Sequence, residues 1–461
     1  PGRVILILAL ETSMTFEDLI GTLNDVIWSL PLIYLCLAVG LYFTVRTMFL
    51  QFVNIPDMIR QLREGEDSKD GTSSLQSLMM SLAGRVGMGN IGGVATAIAF
   101  GGPGAVFWMW AMALLGAATS FIESTLGQIY KERDRDTGEY RGGPAYYFTK
   151  AYSHKPWGKA LVVYGVLFAI VTIFATSYFL PGVQANGVAA AVEQAWNVEP
   201  WIVAVAMVIL LAFIVLGGVK RIATFAVYVV PVMAVLYIVF ALIILFLNAD
   251  QIPVVFGSIF SSAFGMDAVF GAIVGLAIQW GVRRGVYSNE AGQGTGPHAA
   301  AAAEVSHPAK QGFVQAFAVY IDTLFVCSAT AFMLLITGQY NVQAPDGSAL
   351  FTGIAGVAAG PGYVQTAMEN MMPGFGNIFV AVALFFFAFT TIVAYYYIAE
   401  TNIAYINRKV QRPVLTLLLK VGIIAATVYG TVKTADLAWG LGDLGVGLMA
   451  WLNIVAIVLM H

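Results

Sequence analysis

Two glycine-rich stretches hold the residues best suited to chemistry. The first reads Ser81-Leu-Ala-Gly-Arg-Val-Gly-Met-Gly-Asn90 and continues into Gly92 and Gly93. The second reads Leu276-Ala-Ile-Gln-Trp-Gly-Val-Arg-Arg-Gly285 and runs on into Tyr287-Ser-Asn-Glu-Ala-Gly-Gln-Gly-Thr-Gly296. Aligned from Leu82 and Leu276, they share Leu-Ala and a glycine five residues on, Gly87 against Gly281. Glycine and asparagine inside an apolar segment favour an unwound backbone, whose amides and carbonyls need partners other than the helix ladder. Free amides at the start of a half-helix favour a carboxylate, and carbonyls at the end of the preceding half-helix favour a cation or ammonium group. An amino acid zwitterion with a sodium ion offers both. The alternative for either stretch alone is close helix packing through small residues. On the first reading Gln279, Trp280 and Gly281 line the second half of the site.

Other polar groups stand in apolar surroundings. Arg85 lies mid-segment, where an unpaired charge is expensive, and Glu123, Glu290 and Asp322 are its candidate partners. Thr390 and Thr391 sit in Phe385-Phe-Phe-Ala-Phe-Thr-Thr-Ile-Val393. Such hydroxyls commonly bond the carbonyl one turn back, but two of them beside an unwound helix also supply neutral oxygen ligands to sodium. Gln184 and Asn186 either line the same cavity or bond between helices. Asn289-Glu-Ala-Gly-Gln-Gly-Thr-Gly-Pro-His298 lacks the Lys-Ser/Thr ending of a phosphate loop. Trp108, Trp110 and Tyr395 to Tyr397 read as interface or packing aromatics. Cys36 and Cys327 lie in apolar runs and the four histidines are scattered, so neither a disulfide framework nor a metal cluster is expected.

These residues need a scaffold, and composition says which solvent it meets. Hydrophobic residues fill 59% of 461 positions and charged ones 11%, more apolar surface than a water-soluble domain can hide. A net charge of −3 points to no nucleic acid, and nothing in the chain implies an obligate protein partner. The expectation is an all-α membrane protein, one transport domain over 1–461 surrounded by lipid. Val4 to Leu10 is too short an apolar run for a cleaved signal peptide, and Met14 is a candidate start.

Apolar segments fall at 24–50, 75–100, 104–129, 160–191, 201–217, 223–247, 267–300, 311–337, 374–404, 413–430 and 437–460, eleven expected transmembrane helices. Basic residues collect in alternate loops: Arg60, Arg63 and Lys69; seven in 130–159; Lys220 and Arg221; Arg283, Arg284 and Lys310; Arg408, Lys409 and Arg412. Positive charge marks cytoplasmic loops, which predicts an outside N-terminus and a cytoplasmic C-terminus in the cell membrane. With 24–50 set aside as an extra N-terminal helix, 75–247 and 267–460 become five-helix halves of opposite orientation. Inverted repeats with broken first helices are a construction principle of secondary transporters, with solute and ion near the midplane.

At these residues the chain resembles the alanine or glycine:cation symporters, within the leucine-transporter fold. Gly101 to Gly116 is similar to the family signature, and Ser81 to Gly93, Arg141-Gly-Gly-Pro-Ala-Tyr-Tyr147, Val183-Gln-Ala-Asn186 and Ser288-Asn-Glu-Ala-Gly292 resemble its motifs. Gly87-Met-Gly-Asn90 resembles the broken-helix Gly-Leu-Gly-Asn of the leucine transporter, and Phe386 to Ala394 its Phe-Ala-Gly-Leu-Thr-Ser-Ser-Ile-Ala. The resemblance implies a sodium site of the carbonyls of Ala83, Val86 and Phe387 with the hydroxyls of Thr390 and Thr391. It implies a substrate carboxylate met by amides near Arg85, Met88 and Gly89, with Asn90 beside them. Arg85 departs from that pattern, standing where the leucine transporter has a small residue. The implied activity is symport of sodium, the coupling ion, with a small neutral amino acid such as alanine or glycine. A proton-coupled amino acid carrier is the rival. An intramembrane hydrolase would need a paired nucleophile and base, and a channel a filter ring; neither stands out.

Overall fold

The computed structural model describes residues 15–63, 71–135, 137–215, 218–408 and 412–460. Met14, the Val4 to Leu10 run, Lys69 and Lys409 lie outside the described residues, as do the side chains of Arg63, Lys220 and Arg221. Among the described residues, seven helices are long and apolar enough to cross a bilayer: Gly104–Ile129, Gly158–Trp196, Thr224–Leu247, Pro308–Thr337, Gly376–Asn407, Pro413–Val432 and Ala435–Leu459. Phe16–Ile27 and Leu30–Arg46, bent by 43°, make an eighth if they form one span. Large apolar side chains such as Phe213, Tyr228 and Phe246 stand exposed on outer helices, a surface suited to lipid.

The departures from eleven uniform spans have local causes. Segment 201–217 is the helix Pro200–Val215, 16 residues, about 24 Å at 1.5 Å per residue and short of a ~30 Å hydrocarbon core. Segment 160–191 belongs to a 39-residue helical stretch, Gly158–Trp196, with a π-helical turn at Ala175–Phe179. Segments 75–100 and 267–300 are each divided. The first gives Ser74–Arg85, then a π-helical turn Gly89–Gly93 and Val94–Gly101. Its start is fixed by a capping box, in which Ser73 Oγ accepts from Gln76 N at 3.2 Å and Gln76 Oε1 accepts from Ser73 N at 2.9 Å.

The second divided segment corrects an expectation. Val274–Asn289 is one continuous helix, so Gln279, Trp280 and Gly281 do not lie in an unwound stretch; the chain breaks at Glu290 and resumes at Gly296–Ala302. Gly281 is there for packing: a Cβ on it would come within 2.5 Å of the Ala105 carbonyl oxygen and of Trp108 Cβ. Its lack of a side chain lets Val274–Asn289 lie directly on Gly104–Ile129. Arg283 and Arg284 also belong to this helix rather than to a cytoplasmic loop. Arg284 grips Asp443 through both oxygens at 2.7 and 3.0 Å and Arg283 joins at 2.6 Å, tying the helix to Ala435–Leu459.

Candidate functional site

The first break gathers oxygen. Ser74–Arg85 ends at Val86, whose backbone is extended (φ −80°, ψ 93°), so carbonyls of the last turn lose their intrahelical donors. Helix Gly376–Asn407 runs beside them and presents Thr391. Its Oγ1 lies 2.9 Å from Ala83 O, 3.3 Å from Val86 O and 2.9 Å from Phe387 O. Thr390 Oγ1 is 2.9 Å from Phe387 O and 3.0 Å from Phe386 O. One hydroxyl proton cannot satisfy three carbonyls at once. The residues Ala83, Val86, Phe387, Thr390 and Thr391 therefore form a buried, neutral cluster with more acceptors than donors, the kind of set a hard monovalent cation prefers.

Freed amides face the other way. Gly87 N donates to Asn90 Oδ1 and Met88 N to Gln184 Oε1, both at 2.8 Å. A Cβ on Gly87 would stand 2.5 Å from Thr391 Oγ1 and 2.8 Å from Gln184 Oε1. Only glycine lets the chain thread between the hydroxyl and the amide. The Met88 thioether fills the space left open by Gly92 and Gly187, and Gly89 abuts Tyr287 and Ser288.

The second break is held by charge. Glu290 closes Val274–Asn289 in a left-handed conformation (φ 60°), followed by Gly292 and Gly294 at +86° and +80°. Glu123, reaching over from Gly104–Ile129, accepts from Gly292 N at 3.2 Å, Gly294 N at 3.1 Å and Asn453 Nδ2 at 2.7 Å. Tyr147 hydrogen-bonds Asn453 in turn.

Asp322 links the two breaks. It sits in a π-helical turn, Tyr320–Cys327, which interrupts Pro308–Thr337. Its Oδ1 accepts from Asn90 Nδ2 at 2.6 Å and Ser288 Oγ at 3.1 Å, and its Oδ2 from Thr323 Oγ1 at 2.7 Å. Thr330 Oγ1 donates to Asn90 O at 2.6 Å. Sequence reading missed Ser288, Thr330 and the clamp of Glu123; a carboxylate in an apolar run was the one available signal.

Other expected site residues lie elsewhere. Arg85 is buried, but its guanidinium donates to Gln315 O at 3.0 Å and Ser120 Oγ at 3.3 Å. Among the described residues it is hydrogen-bonded rather than ion-paired; Glu290, Asp322 and Glu123 are the carboxylates whose fields reach it. Asn186, two residues from Gln184, emerges on another face of the helix. It donates to Gly430 O at 3.1 Å and Lys433 O at 2.8 Å, closing the end of Pro413–Val432. Gln279 Nε2 bonds Trp28 O at 3.3 Å, and Trp280 stacks on Phe100 with centroids 4.7 Å apart. The Tyr395 to Tyr397 trio is buried in the core, not placed at an interface.

Comparison with known proteins adds a lineage. The model of the sodium:alanine symporter family matches residues 13–461. A putative sodium/proton-dependent alanine carrier protein of Bacillus subtilis (strain 168) is 57% identical over 443 residues, 96% of this chain and 90% of that protein. A sodium/proton-dependent alanine carrier protein of Bacillus sp. (strain PS3) is 49% identical over 405 residues, 87% of this chain and 88% of the other. Among solved structures, a manganese transporter of Eremococcus coleocola has a similar fold, with TM-score 0.54 and 13% identity over 84% of this chain and 85% of that one.

Proposed function

From the premise that the chain belongs to the sodium:alanine symporter family, a family of transporters and not enzymes, we propose that sodium entry through it drives uptake of alanine or glycine. Amino-acid symport by a multi-pass membrane protein follows from the family and from the seven membrane-capable helices. Coupling ion and substrate are our reading. Both Bacillus relatives are named alanine carriers, which supports a small neutral substrate.

The observation that carries the sodium assignment is the convergence of three carbonyls on the Thr391 hydroxyl. A cation bound by Ala83, Val86, Phe387, Thr390 and Thr391 would pull the end of Ser74–Arg85 onto Gly376–Asn407. Its departure would let the two helices separate, one step of alternating access. The Gly87 and Met88 amides are the donors a substrate carboxylate would meet; Asn90 and Gln184 hold them meanwhile. We read the chain as a leucine-transporter-like inverted repeat of eleven spans, 75–247 against 267–460 after the 24–50 helix, with its N-terminus outside and its C-terminus in the cytoplasm. The division of the first span in each half, 75–100 and 267–300, supports that reading.

Proton coupling is the second reading, favoured by relatives named for both ions. A sodium titration of alanine uptake in proteoliposomes at fixed pH separates the two. Thr391→Ala and Thr390→Ala should each raise the sodium half-saturation about tenfold or more, with a loss of apparent alanine affinity that shrinks as sodium rises. Unchanged half-saturation in both variants removes the threonines from the ion site.

A further inference from the structure

Three carboxylates are buried around the two breaks, and they are not equally solvated by the protein. Glu123 receives donors from Gly292 N, Gly294 N and Asn453 Nδ2. Asp322 receives them from Asn90 Nδ2, Ser288 Oγ and Thr323 Oγ1. Glu290, only 3% exposed, has among the described residues one donor, Thr295 Oγ1 at 2.9 Å on Oε2, and no hydrogen-bond partner for its Oε1. A buried carboxylate with an unanswered oxygen is costly when ionised and comfortable when that oxygen carries a proton.

The surroundings of Glu290 complete a site. It lines a cavity of about 10 Å³, room for a single water. Ser81, Gly84, Thr295, Ala394 and Tyr397 line the same cavity, and the Ser81 hydroxyl, 4% exposed, also has no hydrogen-bond partner among the described residues. The cavity backs onto the sodium cluster. A Cβ on Gly84, the residue after Ala83, would lie 3.4 Å from Glu290 Oε1 and 3.6 Å from the methyl of Ala394, one turn beyond Thr390 and Thr391.

We propose that Glu290 is a proton-binding site, with Ser81 Oγ and one water at its free oxygen, and that its proton competes through the field with the sodium ion on the far side of the Ser74–Arg85 helix end. The proposal rests on the sodium reading of Thr390 and Thr391. Ionised, Glu290 adds a negative charge within reach of the cation; protonated, it does not. Sodium therefore binds more weakly as pH falls, and by linkage sodium expels the proton. The other charged or titratable groups facing Glu290 are Arg85 on Ser74–Arg85, Asp322 on Pro308–Thr337, Tyr287 on its own helix, and Tyr395 and Tyr397 on Gly376–Asn407.

The test is the sodium half-saturation of alanine uptake by the full-length protein in proteoliposomes from pH 5.5 to 8.5. Wild type should show a rise of about tenfold toward acid, a typical coupling between sites. Glu290→Gln, which imitates the protonated state, should show one pH-independent value close to the wild-type acid value. A flat wild-type profile, or a Glu290→Gln profile with the wild-type slope, overturns the proposal. Should Glu290→Gln fail to insert, infrared difference spectra of wild type at pH 5.5 put the same question. Sodium addition should remove a protonated-carboxyl stretch, and no such loss overturns the proposal. Thr391→Ala run in parallel separates the two readings. If its sodium half-saturation and that of Thr390→Ala are normal while Glu290→Gln is flat, the cation site fails and the proton site stands; the converse rejects Glu290 alone.

Discussion

The chain opens its backbone at Val86 to Met88 and again at Glu290 to Thr295, and it answers the freed groups differently. At the first break the partners are neutral side chains: Asn90 and Gln184 for the amides, Thr391 for the carbonyls. At the second, the Glu123 carboxylate takes two amides at once and is itself held by Asn453. Three donors from two segments converge on that one side chain. A break held by neutral oxygens can exchange them for a solute or ion at little cost, whereas one clamped by a buried carboxylate is fixed. The first break thus suits binding and the second suits anchoring, although both are glycine-rich.

The comparison fails most visibly if the anchor is removed. Glu123→Leu leaves the Gly292 and Gly294 amides and Asn453 without their acceptor, and should destabilise the protein by about 3–5 kcal/mol. Thermal unfolding in detergent measures it, and a midpoint like that of wild type would show that the second break does not depend on Glu123. Gly87→Ala is the corresponding insult to the first break. Its methyl meets Thr391 Oγ1 and Gln184 Oε1, so sodium-dependent uptake should fall by more than about tenfold, while the overpacking lowers the unfolding midpoint less than Glu123→Leu does, at about 1–3 kcal/mol. Similar losses of stability in the two variants would erase the distinction between binding and anchoring. The smallest effect tests residues on one helix. Gln184→Ala removes the acceptor of Met88 N and should cost about 1–2 kcal/mol in apparent alanine affinity. Asn186→Ala, whose side chain bonds the end of Pro413–Val432 rather than the break, should change it less than about twofold. Equal effects would return Asn186 to the site.

Membrane residence, the mostly helical content, the first break and the pairing of Thr390 with Thr391 were legible in the sequence. Hydrophobic length and glycine content are local, additive properties, and a run such as Phe385 to Val393 announces its two hydroxyls by contrast. The second break was misplaced, because Leu276 to Gly285 is also glycine-containing, yet it lies wholly within the helix Val274–Asn289, where Gly281 serves the close approach to Ala105. What unwinds Glu290 to Thr295 is an acceptor supplied from 169 residues away, Glu123 to Gly292. The π-helical turn that aims Asp322 at Asn90 and Ser288, 232 and 34 positions distant, is equally invisible locally. The sequence by itself determined that the chain lives in lipid and where the first of its two openings falls. Only the tertiary structure decided which opening is clamped by a carboxylate and which is met by neutral side chains, because that depends on which distant donors and acceptors packing brings within hydrogen-bond reach.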